Sequence, residues 1–374
     1  LAIPHVVLAI GLLWTWLIMP LPVYGTLPSK TDQAGKLLPP VRVDTSDGLR
    51  IDGELIADRE LLKAARGSRV VLYSAAGKEA EDLTVARFTQ ETGIPVELTR
   101  LANNKLAERA LSEYGAGRLG ADVIRLTDPR TARDFSDRRV FMPYRTPFHD
   151  VLNEQGSPPN ESWFSPYYFV KAVGYNSAIL DESPPAGWQD IVSPRYEGKL
   201  GIVSVTTGGT LSSQLRFELE TFGADFVAAQ ARQGARVFDS TSTQVDALAR
   251  GEITVATVSV NNAIGAEAAG APIRLVIPKE GVSATQGPLE LTGKGVANPA
   301  ARVFANWSLS KSGQRFVGAQ GFVPVRTDIG VVRAGSYELP MANSPRFHLM
   351  SEDDFARYAR EDEDLWRKLF DYVG

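Results

Sequence analysis

The sequence predicts an α/β fold in two blocks, each a mostly parallel sheet flanked by helices. Three observations carry that prediction. Short apolar runs rich in Val, Ile and Leu alternate with stretches of helical spacing, the rhythm of parallel strands joined by crossover helices. The chain has 374 residues, a length suited to two domains, and 44% of them are hydrophobic, enough to fill both cores. No internal repeat or low-complexity tract interrupts the pattern, which excludes solenoids and coiled coils.

The first block starts at Ser68. Residues 69–73 (RVVLY) read as a buried strand, Ser74 to Gly77 as a small-residue turn, and 78–92 as a helix with Leu83, Ala86 and Phe88 on one side. Gly93 stops that helix, and 94–98 (IPVEL) form the next strand. A helix over 105–114 ends at Gly115, and 121–126 (ADVIRL) make a third strand. After the break Ser157-Pro158-Pro159, residues 167–175 (YYFVKAVGY) read as one long strand. The second block has strands at 200–205, 236–239, 253–258, 273–277 and 289–292, with helices at 211–222, 242–250, 299–310 and 311–319. Ligands of such sheets sit at the carboxyl ends of the strands, which are Ser74 to Gly77 and Thr127-Asp128 in the first block.

Composition removes several functions. With no Cys there is no disulfide scaffold, Cys zinc site, iron–sulfur cluster, thiol nucleophile or diacylglyceryl anchor. His5, His149 and His348 are the only histidines, too few for His-rich metal or acid/base chemistry. There is no GxxxxGK[ST], GxSxG or HExxH motif and no clustered carboxylate pair, so neither an enzyme nor a cofactor is expected. The net charge of −4 argues against a general nucleic-acid binder. Residues 352–374 hold eight acids against four bases, which accounts for that whole charge, so the remainder is neutral overall.

Residues 6–19 (VVLAIGLLWTWLIM) are an uncharged apolar run of signal-peptide h-region length, with an uncleaved anchor as the alternative. The expected organisation is therefore a signal peptide or anchor at 1–25, and a linker with a short helix at 26–66. Lobe 1 would comprise 67–170 plus 290–332, lobe 2 171–289, and an acidic helical extension 333–374. Phe355, Tyr358, Leu365, Leu369 and Tyr372 give that extension an amphipathic spacing.

The ordered succession of 70–98, 121–128 (ADVIRLTD), 173–180 (VGYNSAIL), 184–203 (PPAGWQDIVSPRYEGKLGIV), 240–263 and 298–326 resembles the periplasmic solute-binding proteins of ABC importers. The likeness is to the branch related to the ferric-ion binders and spans 68–328. It implies a two-lobed type II periplasmic-binding-protein-like fold with hinge strands, and a monomer that closes on a solute and docks on an ABC permease. It also implies a periplasmic location and no nucleic-acid partner. A ligand sensor or presenter for a membrane signalling partner is the alternative role.

The resemblance also locates a cleft, and the residues there depart from iron binding. Gly77 stands where ferric binders have His, Thr127 where they have Glu, and Asn261 and Asn262 where they have a Tyr pair. Hard Fe(III) favours anionic oxygen, so a ferric ion in a non-tyrosinate site is only the alternative ligand. A small polar or anionic solute is expected instead, held by Ser74, Gly77, Thr127, Asp128, Thr207, Gly208, Gly209, Thr210, Ser240, Thr241, Ser242, Asn261 and Asn262. Among them, Thr206-Thr207-Gly208-Gly209-Thr210 before one helix and Ser240-Thr241-Ser242 before another offer helix-start N–H groups to an anion. Arg125 and Arg130 are nearby cations outside this set, and no metal site is expected.

Overall fold

The computed structural model describes residues 38–153, 163–180 and 182–372. The apolar run at 6–19 and the Pro-rich break at 157–159 lie outside the described residues. No helix among the described residues is long and apolar enough to cross a membrane.

Part of the segment read as a linker is a sheet. Strands β1 (Val43–Asp44), β2 (Gly48–Ile51) and β3 (Glu54–Asp58) form an antiparallel meander that buries Leu49, Ile51 and Ile56. Helix α1 (Arg59–Ala65) follows, its N-cap Asp58 accepting the Leu61 N–H.

The first lobe is built on β4 (Val70–Ser74), α2 (Lys78–Thr92), β5 (Val96–Arg100), α3 (Asn103–Gly115), β6 (Val123–Arg125) and α4 (Pro129–Asp137). β4 lies parallel to both β5 and β6, with Leu72 opposite Leu98 on one side and Val123 on the other. Gly93 ends α2 in the left-handed conformation (φ 72°), which a Cβ would strain. Inside this lobe Arg87 and Glu91 form a buried pair. Arg87 donates to the Leu38 and Pro39 carbonyls, and Glu91 accepts from Trp307 Nε1 and Ser312 Oγ. One ion pair thus ties the start of the described chain, α2 and the late helices together.

The second lobe carries the strand that links the two. β7 (Tyr167–Asn176) runs antiparallel to β10 (Val255–Ser259), β11 (Ile273–Val276), β12 (Val282–Gln286) and β14 (Val323–Pro324). β8 (Leu200–Val203) lies parallel to β10 and β9 (Arg236–Phe238). β13 (Leu289–Leu291) returns to the first sheet beside β6. The helices are α5 (Gly209–Phe222), α6 (Ala224–Arg232), α7 (Thr241–Ala249) and α8 (Val260–Ala268). α9 (Pro299–Ser308) and α10 (Lys311–Ala319) follow β13. The sequence reading had no helix at α6 or α8.

The C-terminal segment is more than a helix. Hairpin strands β15 (Arg333–Ala334) and β16 (Tyr337–Glu338) precede β17 (Phe347–Leu349), which joins the second sheet parallel to β12. Helix α11 (Glu352–Leu369) follows, closed at its start by a Ser351/Asp354 capping box. Its buried stripe is Phe355, Ala359, Asp362 and Trp366, so the expected face is right at Phe355 but runs through Trp366 and a buried acid rather than Leu365.

Under α5 the core holds two titratable groups. Lys171 of β7 and Glu218 of α5 are both fully buried. Burial pulls the Lys171 ammonium down to about 7 and pushes the Glu218 carboxyl up to about 7. Glu218 accepts from Gln214 and Gln230, whereas Lys171 Nζ has no hydrogen-bond partner among the described residues. A free Glu ionises near pH 4.3, so from about there to about 7 the unfolded chain holds fewer protons than the folded one. Stability is then lost as pH rises through this window. Lys171 acts oppositely and above it, where the unfolded chain holds the extra proton. Glu218→Gln should gain on the wild type between about pH 5 and 7, by at most about 1.4 kcal/mol per pH unit in urea unfolding. A pH-independent difference would contradict this account.

Candidate functional site

The carboxyl ends of β4 and β6 in one lobe, and of β8 and β10 in the other, each lead into a helix start. Two of them, the turn after β6 and the start of α5, meet across the lobes. A Cβ placed on Gly209 would lie 3.4 Å from the Thr127 carbonyl oxygen, so the start of α5 abuts the turn after β6. The turn into α4 is held from within: Asp128 caps it, accepting the Arg130 N–H at 2.9 Å and pairing with Arg130 Nη2 at 2.9 Å. Asn103 of α3 takes the Thr127 N–H at 3.0 Å and so orients that turn.

The loop before α5 differs in detail from the sequence reading. Residues 205–207 form a short 3-10 turn, Gly208 is the N-cap, and Gly209 and Thr210 already belong to the first turn of α5. Thr210 therefore does not cap the helix. The Thr207 hydroxyl is committed to the Ser204 carbonyl at 2.9 Å. Gly208 offers no side chain to cap α5, so the helix-start N–H groups have no internal side-chain acceptor there.

A second group assembles beside it. Ser240 caps α7 through the Thr243 N–H at 3.1 Å, with Thr241 and Ser242 in the first turn. Asn262 Nδ2 donates to Thr241 Oγ1 at 3.3 Å, and Asn261 Nδ2 to Asn262 Oδ1 at 2.8 Å. Asn261 packs on the turn between α10 and β14: a Cβ on Gly321 would come within 3.0 Å of the Asn261 Cα, and φ there is +92°. The two asparagines stand in the first turn of α8, whose N-cap Ser259 makes no side-chain cap hydrogen bond.

Ser74 and Gly77 play less direct parts. Ser74 is fully buried and its Oγ accepts the Ala76 N–H at 3.1 Å, bracing the turn. Gly77 is the N-cap of α2; its carbonyl accepts the Glu81 N–H, and it has no side chain to cap the helix. The sequence reading missed what stands behind them. Arg125, set aside as a lobe-surface cation, is buried and pairs with Glu81 of α2 at 2.7 Å, while its Nη1 donates to Tyr167 Oη at 2.9 Å. The sequence placed it on the lobe surface, but every residue from Ala121 to Leu126 is buried, and its partner, one turn inside α2, had no signal. Burial pushes the Tyr167 hydroxyl up to about 12 and raises that of Tyr168 as well, so neither presents a phenolate near neutral pH. Among the described residues no group of three or more His, Cys, Asp or Glu side chains is placed to hold a metal ion.

The site is thus an interlobe line of helix starts, amides and hydroxyls. Arg125, buried behind it, is already neutralised by Glu81. Removing Glu81 alone leaves Arg125 buried and unpaired, which typically costs about 3–5 kcal/mol. Glu81→Ala should lose stability on that scale in urea unfolding, and adding Arg125→Met should restore part of it. A double variant no more stable than Glu81→Ala would show that the pair is not what holds this turn.

Comparison with known proteins agrees with this architecture. The structure is similar to iron-bound HitA from Pseudomonas aeruginosa (TM-score 0.63, 18% identity, covering 80% of this chain and 99% of that one). It is similar to the periplasmic binding protein AfuA from Actinobacillus pleuropneumoniae with fructose-6-phosphate bound (TM-score 0.62, 18% identity, 82% and 99% covered). It also matches the substrate-binding protein of an ABC transporter from Agrobacterium tumefaciens (TM-score 0.68, 13% identity, 83% and 96% covered). At these identities the likeness establishes the two-lobed fold. The sequence profile of the family described as "Bacterial extracellular solute-binding protein" matches residues 84–330, about two-thirds of the chain. The chain belongs to the bacterial extracellular solute-binding protein family.

Proposed function

We propose that this protein is the extracytoplasmic solute receptor of an ABC-type importer, and that it captures a small anionic solute between its lobes by hinge closure. The observation that carries the reading is the approach of the α5 start at Gly209 to the Thr127 turn of the opposite lobe. Helix-start N–H groups favour an anion, and at this junction one bound group can touch both lobes and favour their closure. Asn261, Asn262 and Thr241 add neutral donors without a fixed charge. The neighbours fit a cleft that has served different cargo: one holds iron, another a sugar phosphate. Here the neutral amides of the Asn pair favour the organic or inorganic anion over ferric ion, which as a hard cation wants anionic oxygen. Delivery to a permease, release outside the cytoplasmic membrane and action as a monomer follow from the same reading.

A thermal-shift and calorimetric screen of inorganic phosphate, a phosphonate, fructose-6-phosphate, citrate and ferric citrate tests it. A ligand at 100 times its Kd adds about 2.7 kcal/mol of stability, a shift such a screen resolves. One of the iron-free anions should bind stoichiometrically. Asn262→Asp keeps the side chain's size and its acceptor for Asn261 but turns a donor into a negative charge. It should weaken that binding at least tenfold while leaving the solute-free melting curve nearly unchanged. Tight ferric binding with a phenolate charge-transfer band, or unaltered anion affinity in Asn262→Asp, would overturn the proposal.

A further inference from the structure

Beyond residue 330, where the family match ends, the chain folds back onto both lobes. β17 extends the sheet of the second lobe, and the body of α11 packs on α5 and α6 of that lobe. The buried Asp362 accepts from Arg216 Nε of α5 at 2.8 Å and from its Nη2. The same guanidinium stands 4.2 Å from the centre of the Tyr358 ring, and Trp366 joins the main core. The first turn of α11 points the other way, to α4 of the first lobe. Arg133 lies 3.5 Å from Glu352 and 4.0 Å from Asp353, and Arg130 faces the Phe355 ring at 5.8 Å. That ring also stands 3.6 Å from where a Gly209 Cβ would be, beside the Thr127 carbonyl. One helix therefore touches both lobes at the line where they meet.

We propose that α11 is a strap that holds the two lobes together before any solute arrives. Its two ends are unequal. The second-lobe end is buried and multiply bonded, so it stays attached. The first-lobe end rests on the mostly exposed Arg133 and on one aromatic ring, so this is the end that lets go. The Ser351/Asp354 capping box keeps the first turn helical whether or not it is docked, which makes release a rigid-body event rather than unwinding. The strap requires no solute, so it stands or falls apart from the anion reading. It predicts that the solute-free protein rests largely closed, and that solute adds to an existing closure.

The absence of cysteine allows clean labelling. Spin labels on N104C at the exposed start of α3 and on D246C in α7 report the separation of the lobes in the full-length, solute-free protein. Pulsed dipolar spectroscopy should give one short distance for the otherwise wild-type chain. Arg133→Glu, an exposed substitution that spares the core, should add a longer-distance population, and Phe355→Ala should enlarge it. Pairing Arg133→Glu with Glu352→Arg should return the distribution to the short distance. An identical distribution in Arg133→Glu and Phe355→Ala, or a longer population that the charge swap does not reverse, would overturn the strap.

Discussion

Strand β7 is the constraint on which the rest of the molecule depends. It pairs with four strands along its length, and every residue from Tyr167 to Val173 is buried. Each buried N–H that lost its partner would cost about 1–3 kcal/mol, so its register cannot drift. At its first residue the strand meets the other lobe, because Tyr167 takes a hydrogen bond from Arg125, itself paired with Glu81 of α2. Tyr167 and Phe169 also pack on Phe322, which lies just after α10. β7 is therefore a stiff strand clamped at one end by a buried ion pair. In the closure proposed above, the lobes pivot at this strand.

The clamp explains how the site is made. With β7 in register, Lys171 sits opposite both Ser259 and Ser283, and β10 delivers Ser259 directly into the start of α8. The turn after β6 is carried to the start of α5 by the same arrangement. Donors at the junction are backbone N–H groups, amides and hydroxyls whose positions are set by secondary structure. A helix terminus contributes about 0.3–1 kcal/mol toward a charge when exposed and up to about 2 kcal/mol when partly buried. In the proposed site such termini hold an anion without a free cation, and the neutral body of the chain outside 352–374 matches that economy.

Much of the fold was legible because both blocks keep a strict local pattern. The apolar run at 69–73, helical spacing at 78–92 and the stop at Gly93 each depend on neighbours in sequence, and each appears where expected. The meander at 43–58 was not legible: strands of two to five residues, interrupted by Asp and Gly, are too short to show alternation. Helix α8 was hidden because Asn261 and Asn262 favour turns on their own and become helical only when Ser259 ends β10 beside them. Of the site, the chemistry at each helix start could be read, but not which starts meet. Thr241 and Asn262 are joined by topology, as are Gly209 and Thr127. Nothing in the acid-rich sequence of α11 sets Asp362 apart, yet it is buried against an arginine 146 residues away.

The account's central claim is that one anion is held at the junction by groups from both lobes. Nuclear magnetic resonance of the amide-labelled full-length protein, titrated with the best-binding anion, tests it directly. The account predicts saturable shifts that share one binding curve in the backbone amides of Gly208, Gly209 and Thr210, in the Asn261 and Asn262 side-chain amides, and in Thr127. Shifts confined to one lobe, or a saturable curve whose affected amides lie away from all of these residues, would contradict it.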